Sequence, residues 1–312
     1  MQMSRYAILF PGQGSQRVGM GADLFGAHGD LLGESADRII GWPLERLIID
    51  GPQEELTRTE HAQPALYAIS LALWRVLEEA LPSRPAASAG HSLGEYTALA
   101  ASGAVAYEDG LALVAERGRA MAAAAAEGEP SGMAALIGAD LDRAESVAAD
   151  RRGDGGRLWV ANINAPAQIV LAGSEIDIAW LSENARALGI RRAVPLAVAG
   201  AFHSPFMQPA AERLEAALDA TDFSAPRFPV YANTTARPTE DPARQLAEQL
   251  VQPVQFVATL ENMAADGITT FIHVGPGDVT AGLVKRTLPD ATVHVVASLD
   301  DIAAVANDPS VQ

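Results

Sequence analysis

Apolar residues along this chain fall either into short unbroken runs or into longer stretches at helical spacing, and their alternation predicts an α/β protein. Residues 6–10 form an apolar run leading into the turn-forming Pro11-Gly12-Gln13-Gly14-Ser15-Gln16. Positions 65–81 keep helical spacing up to Pro82, and 111–126 form an Ala-rich helix ending at the breaker-rich Gly128-Glu129-Pro130-Ser131-Gly132. Beyond that boundary the texture changes to strand 133–137, helix 141–150, strands 158–162 and 168–172, helix 176–188 and strand 191–198. This β-α-β-β-α-β order is the ferredoxin-like unit, compact enough to be inserted in a larger domain. The first texture then resumes with helices 209–220 and 243–250, strands 230–232, 271–274 and 293–296, and a frayed tail at 307–312. Residues 1–130 and 199–312 are therefore expected to form one α/β domain and 131–198 a subdomain inserted into it.

One short motif carries chemistry. Gly90-His91-Ser92-Leu93-Gly94 follows the small residues Ala86-Ala87-Ser88-Ala89 and precedes a helix-friendly stretch, 95–101. A G-x-S-x-G run between strand and helix is the pattern of a nucleophile elbow, whose sharp turn leaves no room for side chains two positions either side of the serine. The turn would lift the Ser92 hydroxyl to the positive end of the next helix, where backbone N–H groups can stabilise an oxyanion. A glycine-bounded turn with an ordinary serine would read the same way on the motif alone.

Composition narrows the classes. With 312 residues, 49% of them hydrophobic, the chain can bury a substantial core. No apolar run approaches the ~18 to 20 residues of a transmembrane helix and no signal-peptide pattern opens the chain, so a cytoplasmic protein is expected. Zero cysteines exclude disulfides, a thiol nucleophile and thiolate metal sites, and no histidine–carboxylate cluster has metal-ligand spacing. A formal charge of −17, from 22 basic and 39 acidic residues, argues against a nucleic-acid partner. An acidic protein partner would have to use a local basic patch, for which Arg151-Arg152, Arg191-Arg192 and Lys285-Arg286 are the candidate pairs. Each of them reads equally as solvated surface charge.

A serine hydroxyl needs a general base within hydrogen-bond reach, most often histidine. Of the six histidines, His28 and His61 lie in polar, loop-like surroundings, His91 is inside the elbow, and His273 and His294 are in strands. His203 sits in Gly200-Ala201-Phe202-His203-Ser204-Pro205, a small-residue loop after a strand and before a helix, where sheet enzymes place catalytic side chains. A structural histidine remains the alternative there.

Taken together, Phe10-Pro11-Gly12-Gln13-Gly14-Ser15-Gln16, Gly90-His91-Ser92-Leu93-Gly94-Glu95-Tyr96, Arg117-Gly118, Gly200-Ala201-Phe202-His203-Ser204 and Gly275-Pro276-Gly277 resemble the malonyl-CoA:acyl-carrier-protein transacylases. The motifs span nearly the whole chain. The resemblance implies an α/β-hydrolase-like large domain with a parallel sheet and an inserted ferredoxin-like subdomain. It also implies a Ser92–His203 dyad in which Ser92 takes a malonyl group from coenzyme A thioester and passes it to the phosphopantetheine thiol of a holo acyl carrier protein. By the same resemblance the backbone N–H groups of Gln13 and Leu93 form the oxyanion hole, and the Gln249 carbonyl orients His203. Arg117 would bind the malonyl carboxylate, a task suited to a planar bidentate cation. On the residues alone Arg117 reads as a helix-surface ion-pair partner. Phe202, His91 and Gln63 complete the substrate-binding set. Ala201-Phe202-His203-Ser204 looks more like malonyl-selecting polyketide-synthase acyltransferases than enzymes dedicated to fatty-acid synthesis, so a free-standing, trans-acting enzyme is expected. The resemblance implies no bound cofactor and no membrane, and a monomer is expected.

Three other functions are compatible with parts of this pattern. An acyl hydrolase that clears carrier proteins would use water in place of the thiol, but such relatives tend to lack the arginine. A general esterase would show a carboxylate between Ser92 and His203 in the triad order, and none is convincing. A noncatalytic docking module would have no use for Ser92, His203, Arg117 and Gln13 together.

Overall fold

The computed structural model describes residues 5–26 and 28–311. Strand β1 (Tyr6–Phe10) is buried at every position, as expected for a strand covered on both faces in a parallel sheet. Short helices α1 (Gly29–Leu32), α2 (Glu34–Ile40), α3 (Leu44–Asp50) and α4 (Gln53–Thr57) precede the long α5 (Thr59–Ala80). Then come β2 (Ala87–Gly90), α6 (Gly94–Ala101) and α7 (Tyr107–Glu127). The middle of the chain holds β3 (Ser131–Ile137), α8 (Leu141–Gly153), β4 (Leu158–Ala165), β5 (Gln168–Ser174), α9 (Glu175–Asn184) and β6 (Arg192–Pro195). Last are α10 (Gln208–Asp219), β7 (Val230–Tyr231), α11 (Pro242–Gln249), α12 (Phe256–Ala265), β8 (Thr270–Val274), α13 (Val279–Thr287), β9 (Thr292–Val296) and α14 (Ile302–Ala306).

Two sheets result. The first is wholly parallel in the order β7-β2-β1-β8-β9. Its chain path runs outward from β1 through β2 to β7, then returns to the other side of β1, so the carboxyl ends of β1 and β2 border the point where strand order reverses. Open α/β sheets place their ligand crevice at that point. The second sheet is antiparallel in the order β4-β5-β3-β6, the arrangement of the ferredoxin-like unit read from the sequence. Along β3 and β5 its faces divide by alternation, while β4 carries register irregularities between Val160 and Asn162 and between Ile163 and Ala165. Ala134, Leu136, Ile169 and Leu171 pack with Val147, Ile178 and Leu181 of α8 and α9, whereas Met133, Val170 and Ala172 turn toward the core of the parallel sheet.

Several boundaries differ from the sequence reading. Helix α5 begins at Thr59, not at position 65, so Pro64 lies inside it. The proline forfeits one backbone bond near the helix start, and α5 holds because it is buried along most of its length. Gly118 of α7 brings the two helices together, since a Cβ there would lie 3.0 Å from Glu60 Cα. His61 is consequently in α5, edge-on to the Trp42 ring and bonded to the Glu55 carbonyl, not in a loop. Strand β6 stops at Pro195; Leu196 N–H still donates to the Met133 carbonyl at 2.9 Å, and Leu196 to Val198 line the cleft described below. The expected frayed tail is instead held at 307–311: Val311 is fully buried and the Ser310 hydroxyl meets His294 Nε2. Gln312 lies outside the described residues.

Candidate active site

The elbow is formed by close approach of backbones. His91 N–H donates to the Phe10 carbonyl at 3.0 Å, continuing the β1–β2 ladder past the strand end. A Cβ at Gly90 would lie 1.9 Å from the Gly94 carbonyl, and one at Gly94 would lie 2.4 Å from the Phe10 carbonyl oxygen. Both glycines of G-x-S-x-G are thus required by contact. Gly12 brings the N-terminal loop onto the same turn, with a virtual Cβ 2.5 Å from the His91 carbonyl oxygen. Ser92 itself has φ of +52° and His203 has φ of +57°. Non-glycine residues in this region are strained, and such strain concentrates at functional sites.

The two strained residues meet. Ser92 Oγ lies 2.8 Å from His203 Nε2, and His203 Nδ1 lies 2.7 Å from the Gln249 carbonyl oxygen. A carbonyl can only accept, so Nδ1 carries the proton and Nε2 is left as the acceptor for the serine proton. Burial, with the Arg117 charge adding to it, pushes the His203 pKa down to about 3, so the ring is the neutral base at ordinary pH.

Arg117 reaches the site from the middle of α7 and is only 1% exposed. Its Nη1 donates to Gln63 Oε1 at 2.7 Å, and its Nη2 donates to Gln249 Oε1 at 2.9 Å and to Ser92 Oγ at 3.0 Å. The guanidinium also lies over the Tyr96 ring, 5.4 Å from its centroid. Among the described residues no carboxylate is within ion-pair distance of it, and its Nε has no hydrogen-bond partner. A buried cation whose hydrogen-bond partners are all neutral, with the Glu95 charge acting on it only from beyond ion-pair distance, is poised for an anion.

Ser92, Arg117 and His203 open onto a cleft of about 320 Å³ between the two sheets. Gln13, His91 and Phe202 line it, and the inward face of the antiparallel sheet supplies Met133 and Val170. His91 Nε2 donates to Asn164 Oδ1 at 2.6 Å, which fixes its ring against the wall; burial lowers its pKa. Among the described residues the backbone N–H groups of Gln13 and Leu93 donate to no protein acceptor, whereas Ser92 N–H is taken by Asn233 Oδ1 at 2.7 Å. Gln63 does not line the cleft: it is fully buried behind Arg117, its amide nitrogen donating to Met121 Sδ at 3.3 Å. The side chains of Gln249 and Leu93 are likewise buried.

Sequence reasoning missed two members of the site, Asn233 and Glu95. Asn233 Nδ2 donates to the Gly90 carbonyl at 2.7 Å, so its side chain spans the elbow. A signal existed in its place just past the carboxyl end of a parallel strand. Glu95 is 2% exposed, and burial raises its pKa to about 7. Its signal was a lone charge in Gly94-Glu95-Tyr96-Thr97-Ala98-Leu99-Ala100-Ala101.

Residues 8–304 match the acyl transferase domain family. The chain belongs to that family. It is 42% identical over 289 residues to the malonyl CoA-acyl carrier protein transacylase of Bacillus subtilis, covering 91% of this chain and 90% of the relative. It is 40% identical over 291 residues to the polyketide biosynthesis protein ThaF of Burkholderia thailandensis, covering 92% of this chain and 24% of that longer protein. Among solved structures, a malonyl-transacylase in complex with its type II polyketide-synthase acyl carrier protein superposes with a TM-score of 0.91 at 34% identity, over 97% of this chain and 99% of that one. The chain is therefore an acyltransferase, and its two-sheet architecture is that of the family's solved structures.

Proposed function

We propose that this acyltransferase moves a malonyl group from malonyl-CoA to the phosphopantetheine thiol of a holo acyl carrier protein through an ester on Ser92. The observation that carries the reading is the buried Arg117 guanidinium, without a direct carboxylate partner among the described residues, 3.0 Å from Ser92 Oγ. A neutral acyl group has nothing to offer it, whereas a malonyl carboxylate supplies the missing charge and accepts two parallel N–H bonds.

In the first half-reaction Ser92 Oγ attacks the thioester carbonyl while its proton passes to His203 Nε2. The Gln249 carbonyl holds the resulting imidazolium through Nδ1–H, and the Gln13 and Leu93 N–H groups receive the oxyanion, a contribution of about 3 to 4 kcal/mol per donor. Collapse expels the coenzyme A thiolate, which takes the proton from His203. In the second half the carrier's thiol gives its proton to His203 and attacks the Ser92 ester, returning the serine oxygen to its protonated state. The chemistry needs no bound cofactor.

Phe202 and His91 wall the acyl group, Gln63 and Gln249 hold Arg117, and residues 1–130 with 199–312 act as the catalytic domain with 131–198 as its inserted subdomain. Exposed Lys285 and Arg286 on α13 follow Val279 and Leu283 at the cleft, which supports docking of an acidic carrier at its mouth despite the charge of −17. Among the described residues no helix is long and apolar enough to cross a membrane. The proposed setting is a cytoplasmic monomer serving polyketide or fatty-acid assembly, and the Phe202 context favours a trans-acting polyketide role.

The test is steady-state transfer from malonyl-, methylmalonyl- and acetyl-CoA to holo carrier protein, with hydrolysis followed in parallel. Carrier-dependent malonyl transfer is expected, and Arg117→Ala should lose about 10²- to 10³-fold in kcat/KM for malonyl-CoA while sparing acetyl-CoA. Release of malonate to water at the same rate with or without carrier would instead make the protein a hydrolase.

A further inference from the structure

One carboxylate oxygen behind the elbow is bonded to both halves of the dyad's support. Glu95 Oε2 accepts from the Asn233 backbone N–H at 3.0 Å and from Gln249 Nε2 at 2.6 Å. Asn233 in turn accepts the Ser92 N–H through its side chain at 2.7 Å. Gln249 presents its backbone carbonyl to His203 and its side-chain oxygen to Arg117. The nucleophile, the base and the anion-binding cation are thus each one residue removed from the same buried oxygen, although they come from three separate stretches of chain.

We propose that Glu95 is the positioning residue of this site: its carboxylate sets the registry of Ser92 and His203 through Asn233 and Gln249. The inference rests on the Ser92–His203 reading above. Glu95 touches neither substrate nor the reacting atoms, and it acts by fixing two amides whose partners do. Those two donors explain why an acceptor is required. An apolar side chain would leave the buried Asn233 backbone N–H without this acceptor and the Gln249 amide with the Ser92 carbonyl as its remaining partner, free to swing toward it. The Ser92 carbonyl is already within 3.1 Å of Gln249 Nε2.

Protonation is the second consequence. Among the described ionisable groups around Glu95, Arg117 on α7 is the one cation bearing on it, Tyr96 on its own helix stays neutral with its pKa driven far up by burial, and His203 lies beyond Gln249. Burial raises the Glu95 pKa to about 7, while His203 is held near 3. Lowering the pH through 7 neutralises the acceptor and weakens its grip on both amides before His203 gains a proton.

The experiment is quenched-flow measurement of Ser92 acylation by malonyl-CoA from pH 5 to 9 for the wild type, Glu95→Gln and Glu95→Ala, with thermal melts alongside. The wild-type rate should fall below a pH of about 7. Glu95→Gln, whose amide oxygen can accept the same two bonds, should recover most of the high-pH rate and lose that acid limb. Glu95→Ala should lose about 10²-fold in acylation rate with the KM for malonyl-CoA little changed, the signature of misplaced reacting groups. An unchanged acid limb in Glu95→Gln, or a wild-type acylation rate in a folded Glu95→Ala, would overturn the proposal. Appearance of the wild-type ester and its absence from Ser92→Ala test the underlying reading separately.

Discussion

At the scale of single residues, the site works by pairing strain with hydrogen bonds. Ser92 and His203 both occupy positive φ, and the energy of about 1 to 3 kcal/mol that each stores is offset by the bonds that lock it: Asn233 to Ser92 N–H, and the Gln249 carbonyl to His203. Phe202, 6% exposed on the cleft wall, bounds the acyl pocket. Phe202→Ala should shift the ratio of methylmalonyl to malonyl acylation upward by about tenfold, a gain on the scale of one accommodated methyl, read from competition between the two thioesters. An unchanged ratio would remove Phe202 from the specificity wall. Much of the residue-level site was legible because its chemistry is local in sequence: the elbow glycines flank their serine, and His203 stands out from five other histidines by its loop. Glu95 and Asn233 were not, because their roles are contacts across 138 residues, and neither pattern nor propensity encodes that pairing. Gln63 was legible as near the site but not as the support of Arg117, since that depends on which side of α5 faces α7.

At the scale of elements, what positions the site is the exit of parallel strands. Gln13, Ser92 and Asn233 each follow the carboxyl end of a strand, β1, β2 and β7, that the sheet sets side by side. Strand β1 was readable as an unbroken apolar run, β8 from Phe271, Ile272 and Val274 ahead of a glycine-rich turn, and the ferredoxin-like order from the succession of short apolar runs and helical stretches. Helices α1 to α4 were not, being too short to show a period, and neither was α13, which opens on β-branched residues after Gly275-Pro276-Gly277. The start of α5 was misplaced because proline argues for a boundary that tertiary burial overrides. The elbow packs closely against itself. Gly90→Ala drives a methyl to 1.9 Å from the Gly94 carbonyl, and no flexible side chain is there to yield. The expected loss is more than about 3 kcal/mol of stability, visible as a fall in the midpoint of chemical denaturation. A variant as stable as the wild type would mean that the turn is not closed as described.

At the scale of the whole molecule, the buried ionisable groups make stability depend on pH. His203 and His273 are held neutral, at about 3 and about 4, chiefly by burial, and His91 is lowered as well. Unfolding restores their ordinary values, so between those limits the unfolded chain binds more protons and stability is lost as pH falls. Near pH 5 each of His203 and His273 costs about 2 kcal/mol. Glu95 runs the other way: its folded pKa of about 7 exceeds the unfolded value, so protonation on acidification favours the folded state and offsets about one histidine. Melting temperature should therefore decline from pH 7 to 5, and Glu95→Gln, which lacks that compensation, should decline more steeply. Parallel declines would contradict the assignment of Glu95 as protonated near neutrality.

Arg117 and the Ser92–His203 pair together are expected to make a malonyl ester on Ser92. Intact-mass spectrometry with peptide mapping, after brief exposure to malonyl-CoA, tests it most directly. A single malonyl adduct on Ser92, absent from Ser92→Ala and discharged by holo carrier protein, is expected. An adduct on another residue, or none on a folded enzyme that still transfers malonyl, would contradict it.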